Sequence, residues 1–292
     1  MASFNAPVPA TSLRRSWLFL LGTDTRLHTE AMGTAADALI SDLEDGTAPP
    51  LRPAARRLLP DFVKGCHQSG KVACVRINPL ATDGKEDVQA VLAARPDAVL
   101  LPKTESPEQV CELAALLAGI EWRPELVPNI ETAAGLVRTL AIASAHPLVT
   151  ACLVASEDMT TSLGAERSRA GVELQYARSR FLVECRAAGV VAIDCPYTFS
   201  DVEGLVAETR MARRLGYGAK SAVDGSHVAM INELLTPGVA EVARAREIVA
   251  RFDAAHAQGQ RAEMDGNYLE VPIYLNAKRL LERSKAFDGR HR

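Results

Sequence analysis

The sequence lacks a strong charge of one sign: across 292 residues the formal net charge is −3 at pH 7. That leaves no electrostatic footprint for nucleic acid, and no polybasic run marks a membrane surface. An acidic substrate must therefore be met by local positive groups. Long hydrophobic runs are missing too, far short of the roughly 20 apolar residues that span a bilayer. The first ten residues, M-A-S-F-N-A-P-V-P-A, lack the basic-then-apolar order of a secretory signal. The expectation is a cytoplasmic protein with neither nucleic-acid nor membrane partners. Cys66, Cys74, Cys111, Cys152, Cys185 and Cys195 show no C-x-x-C spacing, which argues against a zinc or disulfide framework. Four of them, Cys74, Cys111, Cys152 and Cys185, fall inside apolar patterns and are expected as buried reduced thiols, and packing is also the better reading of Cys195. No G-x-G-x-x-G follows the first apolar run, so a dinucleotide-binding sheet has no support.

What is present is a soluble globular composition, 48% hydrophobic and 24% charged. Short apolar runs recur at residues 17–21, 38–43, 72–77, 98–101, 126–129, 151–155, 190–193 and 218–223, each separated from the next by a helical pattern. The intervening helices are expected near 26–36, from Pro53 onward with a kink or split at Pro60, and at 85–94, 132–143, 172–188 and 201–215. Ser106-Pro107-Glu108 has the form of a helix N-cap followed by proline and an acid in the first turn. Eight alternating units in about 250 residues fit a closed (β/α)₈ TIM barrel better than an open sheet. A long helix at 238–257 is expected to complete a barrel domain at 1–257. Residues 258–292, with a final helix near 272–284, read as a C-terminal lid or oligomerisation segment. The polar stretch 162–170 is a candidate site loop.

Several apolar runs end in charge. Residues 38–45 close with Asp42, Glu44 and Asp45, and the other runs end in V-R-I-N at 75–78, N-I-E at 129–131 and A-S-E-D at 155–158. Parallel barrels place their chemistry beyond the carboxyl ends of strands, so these residues gather around one mouth. Glu131 and Asp158 converge from different strands as a hard-oxygen pair suited to Mg²⁺, or else serve as ordinary first-turn acids favoured by helix dipoles. Arg76 interrupts a strand, where a guanidinium needs an anion: a bidentate carboxylate substrate, the nearby acids, or both. Glu44 and Asp45 could act as general bases or orient metal-bound water, since crowded carboxylates raise one another's pKa, or they could be structural acids satisfied by backbone amides. The histidines fall mostly on surface patterns, with His227 less clear because it follows the eighth run.

With these residues in hand, the sequence resembles the citrate lyase beta-subunit-like branch of the HpcH/HpaI aldolase superfamily. The resemblance runs over residues 15–251 and is carried by R-S-W-L-F-L-L-G, S-D-L-E-D-G at 41–46, V-R-I-N at 75–78, L-L-P-K-T-E-S at 100–106, I-E-T at 130–132 and A-S-E-D-M at 155–159. It implies a barrel that holds Mg²⁺ through Glu131 and Asp158. It also implies cleavage of a 3-hydroxyacyl-CoA thioester of the malyl-CoA or citramalyl-CoA type to acetyl-CoA and a 2-oxo acid, with Arg76 on the oxo acid's carboxylate. Competing outcomes are a malyl-CoA-type thioesterase and a citrate lyase beta subunit working on an acyl-carrier-protein thioester. In the relatives the C-terminal segment covers a neighbouring subunit's barrel and supplies an aspartate, so the resemblance implies a homo-oligomer, trimer or hexamer, in which Glu270 acts as general acid or base. Two departures border the mouth: Leu21 replaces a proline, and V-D-G-S-H at 223–227 replaces I-H-P-x-Q.

Overall fold

The computed structural model describes residues 10–119 and 121–289. Contacts divide the chain into two compact units, Arg14–Leu235 and Met1–Leu13 with Thr236–Arg292. In the larger unit, strands β1 (Ser16–Leu21), β2 (Ala38–Asp42), β3 (Val72–Arg76), β4 (Ala98–Leu101), β5 (Glu125–Ile130), β6 (Ala151–Val154), β7 (Val191–Asp194) and β8 (Ala219–Ala222) form a closed barrel in chain order. Every neighbouring pair is parallel, and β8 closes onto β1. The expected TIM barrel is the observed fold. Side chains alternate across each strand. Trp17, Ile40, Cys74, Leu100, Val127 and Leu153 fill the barrel interior, while Leu18, Leu39, Ala73 and Val99 face the surrounding helices.

Helices α1 (Thr25–Met32), α2 (Arg52–Gln68), α3 (Gly84–Ala94), α4 (Pro107–Leu116), α5 (Ala133–Leu136), α6 (Thr139–Ala143), α7 (Glu157–Leu163), α8 (Gln175–Ala188), α9 (Val202–Leu215) and α10 (Val228–Leu235) follow the strands. The Ser106 cap is present, with the Gln109 side chain accepting from the Ser106 N–H at 2.9 Å and Pro107 in the first turn. Four expectations are corrected. Pro60 does not split α2, because it lies on the exposed face, where the carbonyl it leaves unpaired can meet water. The helix read at 132–143 is two short ones: the Thr139 hydroxyl donates back to the Leu136 carbonyl at 3.0 Å and offers the backbone an alternative to the helix ladder. Cys111 is exposed, since α4 buries Val110, Leu113 and Ala114 and turns Cys111 off that stripe. His28 is buried, its ring 4.8 Å from that of Phe62 and its Nε2 2.9 Å from the Leu21 carbonyl oxygen. Burial pulls its pKa down from the ordinary value.

The smaller unit contains α11 (Val239–Ala257), a hairpin of β9 (Glu263–Met264) and β10 (Asn267–Tyr268), and α12 (Val271–Asp288). Helix α11, read from sequence as part of the barrel domain, clusters here: only Ala245 is fully buried along it, and its Phe252 stacks on Tyr274 of α12 at 4.4 Å. Asp265 and Gly266, with φ of +54° and +74°, make the two-residue hairpin turn. Among the described residues no helix is long and apolar enough to cross a membrane.

Candidate active site

The acidic stretch forms because β2 stops at Asp42 in register with Arg76 of β3. Neighbouring positions of a parallel pair project to one face, so both side chains enter the barrel mouth. Arg76 Nε and Nη2 donate to the two Asp42 carboxylate oxygens at 2.7 and 2.6 Å, and Nη1 lies 3.2 Å from Glu44 Oε2. The same Asp42 oxygens accept from the Glu44 and Gly46 N–H groups at 3.0 and 2.7 Å. A side chain at Gly46 would collide with that carboxylate, which fixes glycine at the end of S-D-L-E-D-G. Of the two readings left open for Arg76, the internal pair is observed. With Nε and one Nη2 hydrogen committed to Asp42 and Nη1 ion-paired with Glu44, the second Nη2 hydrogen and the Nη1 hydrogen turned away from Glu44 remain. The guanidinium also lies 4.9 Å from the centre of the Phe19 ring.

Lys103, passed over in the sequence, joins this cluster. Its φ of +47° places it in the left-handed region. Its N–H donates to Glu131 Oε1 at 2.6 Å, while its ammonium donates to Glu44 and stands 3.7 Å from Asp45. Glu131 is 0% exposed, and its second oxygen, Oε2, has no hydrogen-bond partner. Burial pushes the Glu131 carboxyl up to about 8, against the pull of Arg76 and with added repulsion from Glu44 and Asp158. Glu44 is raised by burial in the same way, opposed by Arg76 and Lys103.

A cavity of about 570 Å³ opens above these groups, lined among others by Phe19, Leu21, Asp42, Asp45, Arg76, Asn129, Asp158 and Val223. The structure therefore brings Asp45, Arg76 and Asp158 to the lining of one cavity, with Glu44 ion-paired to Arg76 and Lys103 and the sealed Glu131 held by the Lys103 N–H. Glu157, next to Asp158 in the first turn of α7, is committed elsewhere: it accepts from Thr198 Oγ1 at 2.6 Å and from Arg167 Nε at 3.2 Å. A buried carboxylate oxygen without a partner, beside a second carboxylate at the cavity wall, is the donor chemistry a small divalent cation requires. Glu270 belongs to the smaller unit. It stands at the N-cap position of α12 without making a side-chain cap hydrogen bond, and borders a hollow of about 440 Å³ shared with Phe252, His256, Arg261 and Tyr268.

A second buried charge cluster had no signal in the sequence. Arg178 Nε and Nη2 donate to Asp194 at 2.8 and 2.7 Å, and Lys220 Nζ donates to Asp194, to Glu208 and to the Cys195 carbonyl at 2.8, 2.8 and 2.6 Å. Arg178, Asp194 and Lys220 are 0% exposed and lie between the barrel and α8 and α9. Asp194, Cys195 and Glu208 sit close enough to ligate a metal, yet two cations already neutralise the two carboxylates. Burial pushes the Cys195 thiol up to about 12, so it is no nucleophile.

A parallel barrel with one guanidinium, a knot of carboxylates and a cavity beyond its strand ends has the layout of a barrel enzyme's active site. Residues 15–225 match the HpcH/HpaI aldolase/citrate lyase family, and the chain belongs to that family as a lyase of the citrate lyase beta-like branch. It is 31% identical to the citrate lyase subunit beta of Leuconostoc mesenteroides subsp. cremoris over 284 residues, 94% of each chain. It is also 31% identical to the (3S)-malyl-CoA thioesterase of Cereibacter sphaeroides over 275 residues, 93% of this chain and 95% of that one. Among solved structures it resembles CitE of Mycobacterium tuberculosis in complex with magnesium, acetoacetate and coenzyme A, with a TM-score of 0.79 and 29% identity over 93% of this chain and 98% of that chain.

Proposed function

We propose that this protein is a Mg²⁺-dependent carbon–carbon lyase that cleaves a 3-hydroxyacyl-CoA thioester of the malyl-CoA or citramalyl-CoA type to acetyl-CoA and a 2-oxo acid. The observation that carries the reading is the unpartnered Glu131 Oε2, held beside Arg76 and under the influence of the Asp158 charge. Glu131 and Asp158 would hold the cation, which supplies Lewis acidity at the substrate's hydroxyl and carboxylate oxygens when bound. Arg76, locked by Asp42 on one edge, presents its remaining N–H groups to the oxo acid's carboxylate and fixes the scissile bond. Glu44 and Asp45 stand within reach of Lys103 and can take up or release a proton at the mouth. Leu21, Phe19 and Val223 give the same cavity apolar surface.

Likeness to a malyl-CoA thioesterase favours one second reading, hydrolysis of the same thioester. Incubation with a panel of hydroxyacyl-CoA thioesters, with and without EDTA, separates the two. Acetyl-CoA with an oxo acid identifies the lyase, and free CoA with a hydroxy acid identifies the hydrolase. Activity confined to acyl-carrier-protein thioesters would replace both with the citrate lyase subunit. Activity unaffected by EDTA would remove the metal from the reading.

The same proposal assigns Glu270 the role of an acid or base contributed within a homo-oligomer. Its free carboxylate, unused as a helix cap, supports this. Inactive Glu270→Ala and inactive Arg76→Ala, unfolded and refolded together, should regain activity through sites that combine one intact barrel with one intact segment. A fully active Glu270→Ala protein ends the idea.

A further inference from the structure

Resting on the lyase reading, we propose that Asn129 is a substrate-binding residue whose side-chain amide holds the oxygen on the reacting carbon, as a hydroxyl before cleavage and as a carbonyl after it. Asn129 lies on β5 two positions before Glu131, so both side chains point into the barrel. It is 0% exposed, and neither Nδ2 nor Oδ1 has a hydrogen-bond partner. Among the described residues it is the one cavity-lining side chain with such orphaned atoms. A buried amide left unpaired is destabilising, and native proteins keep such groups where they have a use.

The chemistry of an amide narrows that use. Nδ2 donates and Oδ1 accepts, and a turn about the last side-chain bond, which is soft, presents either atom. An alcohol both donates and accepts, whereas the ketone it becomes accepts only. Asn129 can match both forms, donating to the oxygen throughout and accepting from the hydroxyl only in the uncleaved substrate. Arg76 and the acids around it are committed to charge, so Asn129 supplies the neutral contact that Arg76, Asp42, Asp45 and Asp158, which line the same cavity, do not.

Asn129→Leu removes both polar atoms while keeping the number and branching of the side-chain heavy atoms. Because the amide has no partner to lose, the melting temperature of the variant should equal or exceed that of the parent. Its affinity for pyruvate, glyoxylate or oxaloacetate, measured calorimetrically with Mg²⁺ present, should fall about tenfold or more. Asn129→Ala, which adds no bulk, carries the same binding expectation if the leucine variant does not fold. Oxo-acid affinity equal to the parent's in the folded variant overturns the assignment, as does a large loss of stability in both variants, which would mark the amide as structurally paired. If the parent itself binds no 2-oxo acid, the lyase reading fails and takes this role with it.

Discussion

Two clusters of buried charge lie in the same barrel and behave in opposite ways. Behind the wall, Asp194 is paired by Arg178 and Lys220, which outweigh the burial that would otherwise raise it and leave its pKa lowered. At the mouth, Glu131 and Glu44 are raised, because the nearby cations do not offset their burial. Both clusters are desolvated; the difference is how far each is completed by its own chain. The rear cluster balances two carboxylates with two cations, its own unbonded atoms Arg178 Nη1 and Glu208 Oε2 lying 3.9 Å apart, while the mouth leaves Glu131 Oε2 unpartnered in the interior and both Asn129 polar atoms unpartnered at the cavity lining. Matched charge keeps the rear carboxylate ionised, whereas burial pushes the mouth carboxylates toward the neutral form.

The sharpest way to break the comparison is Asp194→Ala. Leaving Arg178 and Lys220 buried without their anion should destabilise the protein by about 3–5 kcal/mol, read from the urea midpoint at constant slope. A variant as stable as the parent would show that the rear cluster does not hold the fold. Arg76→Lys should do the reverse. A lysine keeps the charge toward Asp42 but loses the fork, so most turnover and oxo-acid affinity should vanish while the melting temperature stays near the parent's. Unchanged affinity in Arg76→Lys and Arg76→Ala would make this arginine a structural partner of Asp42, like its counterpart Arg178.

A smaller effect separates the clusters by pH. With its folded pKa raised from 4.5 to about 8, Glu131 contributes stability that is complete below the lower value and is lost as pH rises through the higher one. Without divalent metal, the parent should therefore lose stability across this window relative to Glu131→Gln, which has no proton to release. Added Mg²⁺ should restore the parent above pH about 8 and leave Glu131→Gln and Asp158→Asn unaffected, since a cation replaces the proton only where both carboxylates are present. Parent-like Mg²⁺ affinity in both variants would remove them as ligands.

The barrel was legible because eight apolar runs alternate with helical patterns, and the mouth because its acids and Arg76 stand at strand ends. Helix α10 went unread because no separate apolar run sets Val228–Leu235 apart from the turn after β8. Lys103 is drawn in by its left-handed backbone, which no local pattern announces. Arg178, Asp194, Glu208 and Lys220 meet only through tertiary packing: in sequence they read as polar helix faces and a polar break in a short strand. Asn129 differs from any strand asparagine only by the absence of partners, and absence of partners is not written in a sequence.

The pairing of Asp42 with Arg76 at one register level makes the proposed anion grip a gauge of how the barrel is zipped. A slip of one residue between β2 and β3 turns one partner of the pair to the opposite face, and a larger slip parts the pair along the strands. No misregistered barrel can therefore mimic the grip. Capture of a small carboxylate by the refolding chain would report, without any spectroscopic label, that the second and third strands have found their native alignment.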